Sequence, residues 1–505
     1  MKKRSAYLAI DFGTSNVHAS VIDAETTRII VNTNKKYGWY YPAQNQVELH
    51  IDETWKASEW AVGEVIRQLP EDVELLAITF SYFGDSITPV DEKGEALYGM
   101  IPGFCGRSFK EVQTIGREIG ADTNSFASGL RAALRQAKIT GNTLSTLATP
   151  SKIMWLRDNE PEVFKKAAGF YSNQQYVMRK LGLGDVQDRT MAARKLMIDV
   201  KANCWSAPIL ELAGVTEQQL GTQIVESATV VGTIDHYGSV RLPRTLPVTI
   251  GCHDVSASLL SAGVRLENPD TIGVLMGTYE QMGYFSDTFV DGCNDFGDSL
   301  IFSCCYSSPF NNKYTVMDAF PTAGALLEWF CKNILRDPSA DIGKLIADAK
   351  LDGTGSLMML PYVENFHGAV VGMSLSTTTD EIFAAILESL AYQFVACVDY
   401  IRSTRKQPFT RLHFGGGGSR TDKLLQLRAD LIQAPLGRMQ NIELPSLGAC
   451  MLAGLGNNWY ASVEDAAAHM GNPVSYFEPI PENETKYAER YAKYKAISAD
   501  YLRRY

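Results

Sequence analysis

Two stretches far apart in the chain are written in the same way. The first is Tyr7-Leu8-Ala9-Ile10-Asp11-Phe12-Gly13-Thr14-Ser15-Asn16; the second is Thr271-Ile272-Gly273-Val274-Leu275-Met276-Gly277-Thr278. Each is an apolar run that stops at Gly-Thr and turns apolar again, at 17–22 and at 282–285. The pattern reads as buried strand, tight turn and return strand. One such turn is as easily an ordinary surface hairpin. Two, each opening a half of similar length, argue for a duplicated domain whose turns hold phosphate between the halves. The first copy also ends in an acid. Asp11, at the end of a buried strand, can bind hydrated Mg²⁺, and Gly13, Thr14 and Ser15 can hydrogen-bond phosphate oxygens.

The chain has 505 residues, too many for one core, so two large domains are expected. A net charge of −10 argues against nucleic acid or an anionic membrane as partner. The nine cysteines form no CxxC pair, which suits a reducing, cytoplasmic setting and no disulfide framework. No uninterrupted apolar run is long enough to span a bilayer. A homodimer is compatible with the chain, although no charge run or apolar stripe marks an interface.

Other segments carry chemistry or frame it. Val47-Glu48-Leu49-His50-Ile51 alternates like a strand, and a helix is expected over 53–68. Leu75-Leu76-Ala77-Ile78-Thr79-Phe80 is a buried-strand run ending in a polar-aromatic turn, Ser81-Tyr82-Phe83-Gly84-Asp85. The loop Pro102-Gly103-Phe104-Cys105-Gly106-Arg107 could bring Arg107 to a small polar ligand; composition alone favours a connecting loop with a solvated arginine. Leu246 to Asp254 is a strand ending in an acid, followed by a small-residue helix. Asp254 therefore sits at or near a helix N-terminus, where N–H groups and the dipole keep a carboxylate ionised; Asp is also a common N-cap for purely structural reasons. Thr378 and Glu381 form a capping box before a helix with Ile382, Ile386, Leu390, Phe394 and Cys397 on one face. Leu412-His413-Phe414 runs into Gly415, Gly416, Gly417, Gly418 and Ser419, then a helix. Such a join brings bare backbone against a flat or anionic ligand. A second small-residue helix covers 447–454.

With these pieces in order, the chain resembles the FGGY carbohydrate kinases, within the superfamily of sugar kinases, actin and Hsp70 ATPases. The resemblance rests on Asp11-Phe12-Gly13-Thr14-Ser15, Thr140-Gly141-Asn142 with Ser151-Lys152-Ile153-Met154-Trp155-Leu156, Gly251-Cys252-His253-Asp254, Met276-Gly277-Thr278, and Phe414 to Ser419. It implies an α/β fold of two RNase H-like domains facing a deep cleft, here 1–249 and 250–505. It implies ATP and Mg²⁺ as cofactors and a small sugar or polyol, such as a ketose, as substrate. Asp11 would hold the metal. Gly13, Thr14, Ser15, Gly277 and Thr278 would face phosphates, and Gly415 to Ser419 would border the adenosine. Tyr82, Phe83, Arg107 and His253 would line the sugar site, with Asp254 as the base.

The sugar side departs from the family pattern. His18 stands where a Lys or Arg is frequent. Ser81-Tyr82-Phe83-Gly84 replaces Gln-Met-His-Gly, the loop before Arg107 lacks its Asp, Val255 follows the base in place of Asn or Gln, and Tyr279 follows the second turn in place of Ser. Two alternatives follow: a sugar- or nucleotide-binding regulator that has lost turnover, and an actin- or Hsp70-like ATPase, which would not need a hydroxyl-deprotonating base.

Overall fold

The computed structural model describes residues 3–118, 138–142, 147–267, 269–277, 279–290, 302–320, 323–351, 356–361 and 368–504. Strand β1 (Arg4–Phe12) is apolar on both faces because both are covered; Ala6 to Ile10 have no solvent exposure. It turns at Gly13 into β2 (Asn16–Asp23), which pairs with β3 (Ile29–Lys36). The Tyr37 hydroxyl reaches the carbonyls of Gly13 and Asn16 and latches this first turn. Helix α1 (Ile51–Arg67) starts two residues before its expected position. Residues 47–51 do not form a strand: Glu48 and Leu49 make only single bridges, to Tyr40 and Met100. Acidic Asp52 and Glu53 favour the helix start, while Trp55, Ala61, Val62 and Val65 bury its inner face.

Strand β4 (Val73–Tyr82) lies parallel to β1, and β5 (Val230–Tyr237), β6 (Val240–Thr249) and the short β7 (Cys252–His253) complete the sheet. Its order is β5-β6-β4-β1-β2-β3, with β7 beside the end of β4. The second sheet is built from β8 (Thr271–Met276), β9 (Glu280–Ser286), β10 (Phe302–Ser307), β11 (Tyr314–Phe320), β12 (Arg411–Gly415), β13 (Leu436–Met439) and β14 (Val474–Phe477). Its order is β10-β11-β9-β8-β12-β13-β14. Strands β8 and β9 are antiparallel, as are β1 and β2; β8 and β12 are parallel, as are β1 and β4. Apart from β10 and β7, the two sheets share strand order and direction, with the outermost pair (β5 and β6 against β13 and β14) entered in opposite chain order, so the duplication expected from the two Gly-Thr turns is present in the core of each sheet.

The two small-residue helices join the halves. In α2 (Asp254–Ser261) and α3 (Leu444–Gly456), the backbones meet where a Cβ on Gly448 would lie 1.9 Å from the Ala257 carbonyl oxygen. Only glycine allows that approach. Ser261 donates to the Leu444 carbonyl at 2.8 Å, and Thr79 of β4 donates to the Ala449 carbonyl at 3.2 Å. Helix α4 (Thr379–Thr404) starts at the expected Thr378–Glu381 capping box. By length and composition it could cross a bilayer, which the sequence reading did not expect, but most of its apolar window is buried within the fold.

Candidate active site

Three adjacent parallel strands end side by side. Asp11 on β1 is in register with Ser81 on β4, and Ser81 with Cys252 on β7, two residues before Asp254. The crevice beyond the carboxyl ends of parallel strands is where open α/β sheets collect ligand groups. The Ser81 hydroxyl donates to Asp11 Oδ1. Burial pushes the Asp11 carboxyl up to about 6, against the lowering effects of the Ser81 hydrogen bond and of His18. His18 lies opposite Asp11 in the hairpin, with Nε2 2.9 Å from Asn16 Nδ2 and Nδ1 3.9 Å from Glu443. At the turn itself Thr14 and Ser15 are exposed, and Gly13 N–H is spent on the Asn16 carbonyl at 3.0 Å.

Asp254 is the first residue of α2, with His253 as its cap. Its Oδ1 accepts from the Val255 N–H at 2.7 Å and lies 3.2 Å from His253 Nε2. The helix N-terminus does not win here. Burial, and then the charge of Asp11, push the Asp254 carboxyl up to about 8, which corrects the expectation of an ordinary ionised N-terminal acid. The Asp11 charge acts on Asp254, so the two carboxylates lie within electrostatic reach of each other. That paired negative charge, at strand ends beside exposed hydroxyls, fits a hydrated divalent cation held by Asp11.

The second turn is one residue tighter than the first: Met276 pairs with Glu280, whereas Phe12 pairs with Val17. Gly277 is exposed, and its N–H donates to the Tyr279 carbonyl at 3.0 Å. Thr278 lies outside the described residues. The glycine run passes over this turn. A Cβ on Gly416 (φ +86°) would lie 2.6 Å from the Met276 carbonyl oxygen, and one on Gly418 3.0 Å from Met276 Cβ. Gly417 faces open space. The chain then makes a short 3-10 turn and enters α5 (Asp422–Ile432). Behind the turn, Arg428 of α5 grips Glu280 with two hydrogen bonds of 2.6 and 2.8 Å.

Several expected contacts are corrected. Tyr82 and Phe83 do not reach a ligand: β4 continues through Tyr82, alternation turns Ser81 toward Asp11, and Tyr82 stacks on Phe12 at 5.5 Å with no exposure. Phe83 is buried in the same core and its N–H extends the pairing to the Phe12 carbonyl. Arg107 is neither solvated nor facing a sugar. Its guanidinium pairs with Glu48 at 2.9 Å, donates to the Val47 carbonyl, Tyr98 and Cys105, and lies 4.7 Å from the Trp155 ring. His253 is buried with both ring nitrogens engaged, so it supports Asp254 rather than touching substrate. Gly415 is buried against Leu444, and the buried Ser419 hydroxyl donates to the Gly416 carbonyl, leaving Gly416, Gly417 and Gly418 as the reachable part of that loop.

Sequence reasoning missed four groups. Ser81 was visible only as a turn residue. Asp85, in a left-handed backbone (φ 55°), forms an ion pair with Arg194. The Arg194 guanidinium lies 4.9 Å from the Tyr306 ring. Buried Lys152 donates to the Leu147 carbonyl at 2.9 Å, and burial pushes it down to about 8. They come from three separate segments, 81–85, 152 and 194, and only the fold brings these together.

Comparison with known proteins agrees with this geometry. Residues 6–261 match the model of the N-terminal domain of the FGGY family of carbohydrate kinases, and residues 298–456 match the C-terminal domain. The chain is 24% identical to the xylulose kinase of Lactococcus lactis subsp. lactis, covering 97% of this chain and 96% of the relative. It is 24% identical to the L-fuculokinase of Escherichia coli K12, covering 95% and 99%. The ligand-bound xylulose kinase structure from Lactobacillus acidophilus superposes with a TM-score of 0.82 at 17% identity, covering 98% of this chain and 97% of that one. Two matched domains, a duplicated sheet and paired strand-end carboxylates lead to one conclusion: the chain belongs to the FGGY family of carbohydrate kinases.

Proposed function

We propose that the chain transfers the γ-phosphoryl group of ATP to a hydroxyl of a small ketose, a pentulose or hexulose, with Asp254 as the general base. The half built on the first sheet acts as the sugar domain and the half built on the second as the nucleotide domain, with the boundary a little beyond the expected 249/250 because Cys252 and His253 pair with β4. The observation that carries the reading is the Asp11–Asp254 pair at adjoining strand ends, where the Asp11 charge helps to raise Asp254. Oδ1 of Asp254 is spent on Val255 and His253, which leaves Oδ2 for the acceptor hydroxyl. As that oxygen attacks phosphorus, its proton passes to Asp254. A carboxylate raised toward neutral pH is a better proton acceptor than an ordinary Asp, provided it is ionised when the acceptor binds. Asp11 would hold Mg²⁺, whose charge offsets that of the phosphoryl oxygens. The turns at Gly13, Thr14, Ser15 and Gly277, Thr278 position the phosphates, and Gly416 to Gly418 offer backbone to the adenosine. Domain closure would exclude water and limit ATP hydrolysis.

The ketose assignment draws support from the xylulose kinase and fuculokinase relatives. The test is ADP release over a panel of ketoses, aldoses and polyols with wild type and Asp254→Ala. Turnover on a ketose that drops at least ~100-fold in the variant supports the reading. Near wild-type turnover by Asp254→Ala rules out this base. Nucleotide binding without turnover on any acceptor favours the regulator.

A further inference from the structure

We infer that Tyr306, contributed by the edge strand β10 of the second sheet, is a positioning residue that fixes the tautomer of His253 and thereby aims the Asp254 carboxylate. This rests on the reading of Asp254 as the base. The Tyr306 oxygen is 3.0 Å from His253 Nδ1, and His253 Nε2 is 3.2 Å from Asp254 Oδ1. Tyr306 and His253 are both buried, so neither can exchange its partner for water. Burial and nearby Arg194 hold His253 neutral, so the ring carries one N–H. When Asp254 is ionised it can only accept, so that hydrogen must sit on Nε2. Nδ1 is then bare and must accept from the Tyr306 O–H.

The surroundings hold both rings in place. The Tyr306 ring lies 4.9 Å from the Arg194 guanidinium, itself pinned by Asp85. Gly84 lies against the other side of His253: a Cβ there would lie 2.9 Å from Nε2, so only glycine fits beside the imidazole. The base on α2 is thus oriented by a hydroxyl from the second sheet, and Asp254 Oδ1 is fixed while Oδ2 stays free.

The test combines ¹⁵N NMR of histidine-labelled full-length protein with steady-state kinetics. The His253 signals are assigned by their loss in His253→Gln. At pH 9, above the raised value of Asp254, wild type is expected to show a single Nε2–H tautomer. In Tyr306→Phe, Nδ1 loses its donor, a tautomer mixture appears, and kcat falls ~10–100-fold with KM for ATP unchanged. On a His253→Gln background, whose amide has no tautomers, Tyr306→Phe should cost ~2-fold or less, since the two act through one path. A single Nε2–H tautomer with wild-type kcat in Tyr306→Phe overturns the proposal. So does an equal loss of rate on the His253→Gln background, which would mark a packing effect. Asp254→Asn separates the two readings: wild-type turnover there removes the base assignment, while the tautomer measurement still decides what Tyr306 does to His253.

Discussion

Removing the positive half of the buried Arg428–Glu280 pair should destabilise the second domain and loosen the nucleotide turn together. Neither side chain has measurable access to solvent: Arg428 is 0% and Glu280 2% exposed. Glu280 is the first residue after the Gly277 turn, and Arg428 lies 4.8 Å from the Phe394 ring. Arg428→Met keeps the apolar stem but leaves Glu280 buried and unpaired. Breaking such a pair costs about 3–5 kcal/mol, whereas replacing both partners with apolar groups is often close to neutral. Arg428→Met is therefore expected to lose about 3–5 kcal/mol at pH 7 in urea unfolding, and Arg428→Met with Glu280→Leu about 1 kcal/mol or less. Burial already pushes Glu280 up, and Arg428 opposes it. Without Arg428 the acid takes up a proton more readily, so the loss should shrink as pH falls toward 5. KM for ATP should rise in the single variant and recover in the double. A single variant that loses less than about 1 kcal/mol, or a loss that does not change with pH, would refute the reasoning.

Three further outcomes follow from the same structure. Asp318 is buried with the Ser303 hydroxyl on its carboxylate, and burial pushes it from 3.8 to about 7. Its folded-state value is raised, so it stabilises most below the unfolded value and loses that contribution as pH rises through about 7. Relative to wild type, Asp318→Asn should gain about 4 kcal/mol of unfolding free energy between pH 4 and 8, at about 1.4 kcal/mol per pH unit; parallel curves in denaturation titrations would count against it. The raised Asp254 predicts that kcat/KM for the acceptor climbs with pH toward about 8. The climb should move to lower pH as Mg²⁺ increases, because a cation at Asp11 cancels the charge that raises Asp254; a flat profile from pH 6 to 9 would contradict this. Gly448→Ala forces a methyl onto the Ala257 carbonyl and should cost about 1–3 kcal/mol in thermal or chemical unfolding.

The sequence by itself determined the repeated part of this protein. Asp11, the Gly13 and Gly277 turns, the glycine run and the two small-residue helices are legible because each is a local demand of the backbone. A buried strand must be apolar, a tight turn wants Gly, and close helices want small side chains. Those demands leave a contiguous mark. What only the tertiary structure decided is which side chains face the site. Strand alternation sent Tyr82 into the core and Ser81 to Asp11, because β4 runs two residues beyond the expected end at Phe80. Arg107 left solvent for an interior site because Glu48, distant in sequence, was folded against it. Asp254 looked like an ordinary N-terminal acid until folding partly buried it near Asp11 and pushed its carboxyl up. His253, Tyr306, Arg194 and Asp85 come from four segments, and their chain of contacts exists only once both sheets are packed. Local stereochemistry is written in neighbouring residues; electrostatics and hydrogen bonding act through space, between residues the sequence keeps apart.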